Sequence, residues 1–189
     1  MITNSFSEKV INWYELHGRH DLQWRKAITP YRIWISEIML QQTQVVTVKP
    51  YFKKFIKKYP TLKSIQDASE DEILTLWSGL GFYKRARNIF RTKEIIHSEH
   101  KGRFPKTFEE IIKLPGIGKS TAGAIMSIAH QIPTPILDGN VKRILQRYFS
   151  DGKNIFSEKE LWNLSLSVSN ATNSNLFTQG IMDIGATIC

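Results

Sequence analysis

Apolar residues recur along this chain at spacings of three and four, with polar residues between them, and the strict alternation expected of a half-buried strand does not occur. The pattern predicts helices near 5–17, 31–47, 50–58, 69–78, 82–98, 107–114, 119–130, 139–149, 157–168 and 175–188. Ser69-x-x-Glu72, Thr107-x-x-Glu110 and Ser157-x-x-Glu160 have capping-box spacing, each opening a segment with apolar residues at helical intervals. Pro50 suits a first helical turn and Gly79 a helix stop, while Pro60, Pro105, Pro133 and Pro135 fall in links. The predicted class is all-α. No fixed-period repeat, low-complexity tract or obvious linker interrupts it.

At 189 residues and 41% hydrophobic content, the chain can build one large domain or two small lobes sharing a core. Twenty-six Lys and Arg against 17 Asp and Glu leave a net charge of +9, which suits a polyanionic partner. A Lys-rich solvated surface would give the same number. The single cysteine, Cys189, excludes an internal disulfide framework and fits a reducing compartment. Residues 1–13 carry no apolar signal core and no stretch approaches the ~20 apolar residues of a membrane span, so a cytoplasmic location is expected. The histidines, His17, His20, His97, His100 and His130, show no metal-ligand spacing.

Four stretches carry candidate chemistry. Leu114-Pro115-Gly116-Ile117-Gly118-Lys119-Ser120-Thr121 reads as a helix, a glycine hairpin and a second helix opening at Lys119, so free N–H groups and a positive helix end face one point that can hold a phosphate. An ordinary helix-turn-helix corner reads the same way. Ile136 to Arg143 places Asp138 at a helix N-terminus, followed by Lys142 and Arg143; the carboxylate is a reactive group or a plain helix cap. Trp34 to Val46 is an apolar helix with a polar cluster around Glu37. Burial there would raise the carboxyl pKa and make Glu37 a general acid, whereas Glu37, Gln41 and Gln44 at i, i+4 and i+7 equally describe the wet face of an amphipathic helix. Around Leu80 to Arg87, the aromatics Phe82 and Tyr83 sit on a turn leading into Lys84, Arg85 and Arg87. They are either a base wedge with phosphate-holding cations or core aromatics beside a solvated helix.

At these residues the chain resembles the adenine DNA glycosylases of the helix-hairpin-helix superfamily, which remove adenine mispaired with 8-oxoguanine. The matching phrases are Trp13-Tyr14, Gly18-Arg19, Trp24-Arg25, Pro30-Tyr31, Trp34 to Thr43, Gly79-Leu80-Gly81, Arg85-Ala86-Arg87-Asn88, the hairpin, Ile136 to Arg143, and Gln179 to Cys189. The resemblance implies two helical lobes. A six-helix barrel with the hairpin would span 25–134, and 1–24 with 135–189 would form the second lobe, the adenine pocket lying between them. It implies base flipping out of double-stranded DNA, protonation of adenine N7 by Glu37, and stabilisation of an oxocarbenium-like sugar by an ionised Asp138. Gln41 and Gln42 match residues that enter the duplex. Arg19, Trp24, Arg25, Leu40, Ser120, Asn140, Gln179 and Met182 match positions around the extruded adenine, and Gly116, Gly118, Lys119, Lys142 and Arg143 join the wedge turn on DNA.

Relatives that also cut the backbone carry a lysine nucleophile where this chain has Ser120, and Lys119 sits about 100° away around a helix. A monofunctional monomer without a lyase step is therefore expected. Phe82 stands where the family usually has Tyr, and Gln23 where it usually has Pro. Cys189 matches the first of four cysteines that hold a [4Fe–4S] cluster, which this chain cannot complete by itself. The expectation is the catalytic part of a longer protein or a shortened remnant. The competing expectations are a bifunctional pyrimidine-lesion glycosylase and lyase, or a non-catalytic DNA-binding remnant.

Overall fold

A computed structural model describes residues 2–150, 152, 155–169 and 173–189; positions 1, 151, 153, 154 and 170–172 of the expected second lobe lie outside the described residues. Among the described residues every regular element is helical, as the periodicity predicts. The helices are α1 (Ile2–His17), α2 (Gln23–Lys26), α3 (Pro30–Leu40), α4 (Val45–Lys58), α5 (Leu62–Ile65), α6 (Glu70–Trp77), α7 (Lys84–Glu99), α8 (Phe108–Ile111), α9 (Lys119–Ala124), α10 (Gly139–Phe149), α11 (Glu158–Ser169) and α12 (Ser174–Thr187). A π-helical turn, Ile125–Ala129, continues α9. The chain divides into two compact units, Asp21–Thr121 and Met1–His20 with Ala122–Cys189.

In the unit of residues 21–121, α3 is the central helix. Tyr31, Ile33, Trp34, Ile35, Ser36, Ile38 and Met39 are all buried, so it is enclosed almost all round rather than along one stripe. It packs against α2, α4 and α7, while α6 joins α4 and α7. Trp34, Phe52, Phe55, Trp77, Ile73 and Ile89 fill the core, each burial worth about 1.5–3 kcal/mol. The Ser69–Glu72 capping box forms as predicted, the Ser69 hydroxyl accepting the Glu72 N–H and Glu72 accepting the Ser69 N–H. The Lys58 ammonium and the cap hold the Glu72 carboxyl below the usual carboxylate range. Glu160 closes on Ser157 in the same way at the start of α11. Thr61 and Ser64 form a further box, and α5 was not among the predicted helices.

Two boundaries depart from the periodicity. The predicted helix 31–47 ends at Leu40, and residues 41–44 form a turn in which Gln42 takes φ +55°. Pro50 therefore does not open a helix. It lies inside α4, where it removes the N–H that would reach the Val46 carbonyl, at a cost limited by the exposure of both residues to water.

In the other unit, α12 is central and packs against α1, α10, α11 and the π-turn. Glycines allow this. A Cβ on Gly185 would stand 2.5 Å from Asn140 Cβ on α10, and one on Gly180 would stand 2.9 Å from Tyr14 Cβ on α1. Gly185→Ala forces α10 and α12 apart, since the obstructing atoms include backbone. The expected loss is about 1–3 kcal/mol of unfolding free energy, read by chemical denaturation. Phe6, Tyr148, Phe149 and Phe177 form an aromatic cluster in the same unit, with ring centroids 4.6–6.4 Å apart.

Candidate active site and nucleic-acid interface

Because α3 is enclosed, its half-exposed positions are few, and Glu37 and Leu40 are two of them. Gln41 follows at the cap, its N–H reaching the Glu37 carbonyl. The reading of Glu37, Gln41 and Gln44 as the wet face of one amphipathic helix is thus overturned. Gln44 caps α4, and Glu37 is a carboxylate on an otherwise core helix.

The hairpin lies in the same unit. Leu114 and Ile117 are buried anchors, and Gly116 turns the chain at φ +79°, where a Cβ would stand 2.6 Å from Asn88 Nδ2. The Pro115 carbonyl accepts from Thr92 Oγ1 at 3.2 Å and the Gly116 carbonyl from Gln41 Nε2 at 3.1 Å, which straps the hairpin to α7 and to the end of α3. Gly118 has open space where its Cβ would be, and Lys119 is exposed. Ser120 is half-buried one residue into α9. Phe82 is 58% exposed at φ +49°, Tyr83 is exposed beside it, and α7 begins only at Lys84 because Phe82 is left-handed. Gln42, named from the sequence together with Gln41, is exposed and also left-handed.

Two assignments are corrected here. Arg85 is not a phosphate-holding cation: it is 7% exposed and its guanidinium donates to the carbonyls of Ile38, Met39, Gln41, Leu80 and Gly81. Burial pushes it below the usual arginine range, yet a guanidinium stays charged. Trp24 lies in the core, its ring edge-on to Phe52 with centroids 5.2 Å apart, rather than lining an open pocket. Arg87 stays exposed, with Glu70 3.4 Å away in a solvent-exposed pair that leaves it accessible to a phosphate. Arg25 is half-buried on α2.

In the second unit, Asp138 caps α10, its Oδ1 accepting the Val141 N–H at 2.8 Å. Among the described residues no donor to its other oxygen is seen, and the side chain is half-buried. Arg143 is a brace: its guanidinium donates to the Gly139 carbonyl, Asn140 Oδ1 and the Gly185 carbonyl, joining α10 to α12. Lys142 pairs with Glu158 at 3.3 Å. Arg19, expected near adenine, donates through Nε to Asp183 at 2.7 Å, and that carboxylate is fully buried. Gln179 is buried on α12; its Nε2 donates to Asn175 Oδ1, while its Oε1 has no donor among the described residues. Met182 is half-buried on the same helix. The Asp183 and Gln179 networks were not legible beforehand, since their signal is burial rather than spacing.

Cys189 is exposed, the one thiol of the chain, with Arg147 donating to its sulfur at 3.3 Å. A [4Fe–4S] cluster needs four thiolates, and no group of three or more His, Cys, Asp or Glu among the described residues could hold a metal. The residues present do not fit the cluster.

Among the described residues no helix is long and apolar enough to cross a membrane. The chain is 54% identical over 97% of its length to an adenine DNA glycosylase of Buchnera aphidicola from Acyrthosiphon pisum and 38% identical over 98% to the human adenine DNA glycosylase. It spans 53% and 36% of those proteins, about half or less of the relatives it matches. Its fold superposes on a thermostable thymine-DNA glycosylase with a TM-score of 0.87 at 28% identity, covering 98% of this chain and 86% of that one. An endonuclease III in a DNA complex shares the fold at TM-score 0.79 and 19% identity. Residues 35–165 match the HhH-GPD superfamily of base excision DNA repair proteins, and the chain belongs to that superfamily.

Proposed function

We propose that this chain is the base-excising part of a monofunctional DNA glycosylase that releases adenine mispaired with 8-oxoguanine or guanine in double-stranded DNA. The observation that carries the reading is the identity to adenine DNA glycosylases over nearly the whole chain, in both units; Glu37 on α3 and Asp138 at the start of α10 are the carboxylates the reading assigns to the chemistry.

The glycosidic bond is unreachable within the base stack, so adenine must leave the duplex first. The exposed aromatics Phe82 and Tyr83 fill the gap, while the hairpin N–H groups and Lys119 hold phosphate. Glu37 gives a proton to the adenine ring, which makes the base a leaving group; the C–N bond breaks and its electron pair stays on the base. In this reading the Asp138 carboxylate supplies the negative charge that stabilises the positive sugar. Water then adds to the sugar carbon and loses its proton to Glu37, which restores the acid. Ser120 has no amine with which to form a Schiff base, so the backbone stays intact. Cys189 would contribute one thiolate to a cluster only alongside cysteines this sequence does not contain.

The test is a single-turnover assay on a duplex with adenine opposite 8-oxoguanine, read as strand cleavage with and without alkali. Cleavage only after alkali is expected. A covalent adduct trapped by borohydride would establish the lyase reading, and release of thymine opposite guanine in preference to adenine would favour the activity named for the thymine-DNA glycosylase. Salt-dependent binding with no release of either base would mark a non-catalytic DNA-binding chain.

A further inference from the structure

Arg85 is the most heavily committed cation described in its unit. Its Nη1 takes carbonyls of Ile38 (3.2 Å), Met39 (2.7 Å) and Gln41, the last turn of α3, where the helix leaves carbonyls without N–H partners and carries negative partial charge. Its Nη2 takes the Gly81 carbonyl (3.2 Å) and, at longer range, that of Leu80 (3.4 Å). The same Gly81 carbonyl accepts from Trp77 Nε1 at 3.0 Å. The guanidinium centre lies 5.4 Å from the Trp77 ring centroid and 5.2 Å from that of Phe82. One planar group therefore touches both the end of the helix that bears Glu37 and the turn that bears Phe82. Gln41, whose carbonyl it holds, extends the connection to the hairpin through the Gly116 carbonyl.

We propose that Arg85 is a positioning residue for base extrusion: it locks the Phe82 turn to the end of α3, so that the wedge and the acid act from one rigid frame. The proposal rests on the base-excising function argued above. It explains how an aromatic can stay more than half exposed in a left-handed conformation, since the turn is held by its carbonyls and by the face of the guanidinium. A lysine cannot substitute. Its ammonium is a compact point charge without the planar fork needed to hold both sets of carbonyls while lying against two rings.

The experiment compares the wild-type chain with Arg85→Lys on a duplex carrying 2-aminopurine in place of adenine, whose fluorescence rises when the base leaves the stack. Duplex affinity as a function of salt and single-turnover release of adenine are measured in parallel. The expected result is a cooperative melt, an unchanged salt slope, a several-fold smaller fluorescence rise, and release slowed about tenfold to a hundredfold, the cost of a small misplacement. A salt slope reduced by about one, with extrusion intact, would make Arg85 a phosphate contact and overturn the proposal. Extrusion and release equal to wild type would overturn it as well. If the wild type releases no adenine, the proposed function fails while the extrusion comparison still decides the role of Arg85.

If Arg85→Lys does not fold, wild-type NMR decides. Arg85 Nη protons slow to exchange in the free protein, and unchanged when duplex is added, support the clamp. Fast exchange, or a large shift on DNA, overturns it.

Discussion

Glu37→Gln is expected to bind and extrude adenine normally yet lose its release by at least about 10²-fold, since general acid help typically contributes 10²–10⁴-fold. Glutamine matches glutamate in size and keeps a hydrogen-bonding carbonyl, so the half-exposed position on α3 accommodates it without repacking the enclosed core around it. What it loses is the transferable proton. The checks are single-turnover release and the 2-aminopurine signal on the same preparation. Release at the wild-type rate would remove Glu37 from the chemistry, and loss of extrusion together with release would make it a duplex contact instead.

Asp138→Asn is the second large effect, and it separates folding from catalysis. Asn caps a helix about as well as Asp, so the bond from the Val141 N–H to residue 138 survives and the melting temperature should stay close to wild type. The negative charge does not survive. With a neutral amide facing the positive sugar, base release should fall about 10²–10³-fold, the scale of removing one electrostatic partner of a transition state. Asp138→Ala should lose that and also about 1 kcal/mol of stability through the missing cap. Equal release by Asp138→Asn and wild type would reduce Asp138 to a helix cap.

Most helices were legible from the order of residues because their causes are local. Ser69 and Glu72 meet across one turn wherever that turn forms, and Asp138 precedes a run whose apolar positions recur at helical spacing. Gly116 at the hairpin was legible for the same reason, since a positive φ favours glycine there. Glu37 was only half legible. Periodicity alone left it between a wet helix face and a buried acid; α3 stopping at Leu40 among other helices removes the wet face, and Glu37 is left half-exposed on an otherwise enclosed helix.

The roles of the arginines show where the order of residues stops being informative. Arg85, Arg87 and Arg143 look alike in a string of basic positions, and all three were expected to meet DNA. Arg85 is buried against five carbonyls, Arg87 pairs with Glu70, and Arg143 braces α10 to α12. By itself the sequence determined the helical class, the caps, the hairpin turn and the presence of the two carboxylates, because each depends on residues within a turn or two of one another. Only the tertiary structure decided where α3 ends, that Trp24 is core, and which cations are spent on the protein itself. Those outcomes depend on carbonyls, rings and charges brought close from other helices, from 17 positions away for Arg87 and Glu70 to 46 for Arg85 and Met39, and no local pattern encodes that proximity.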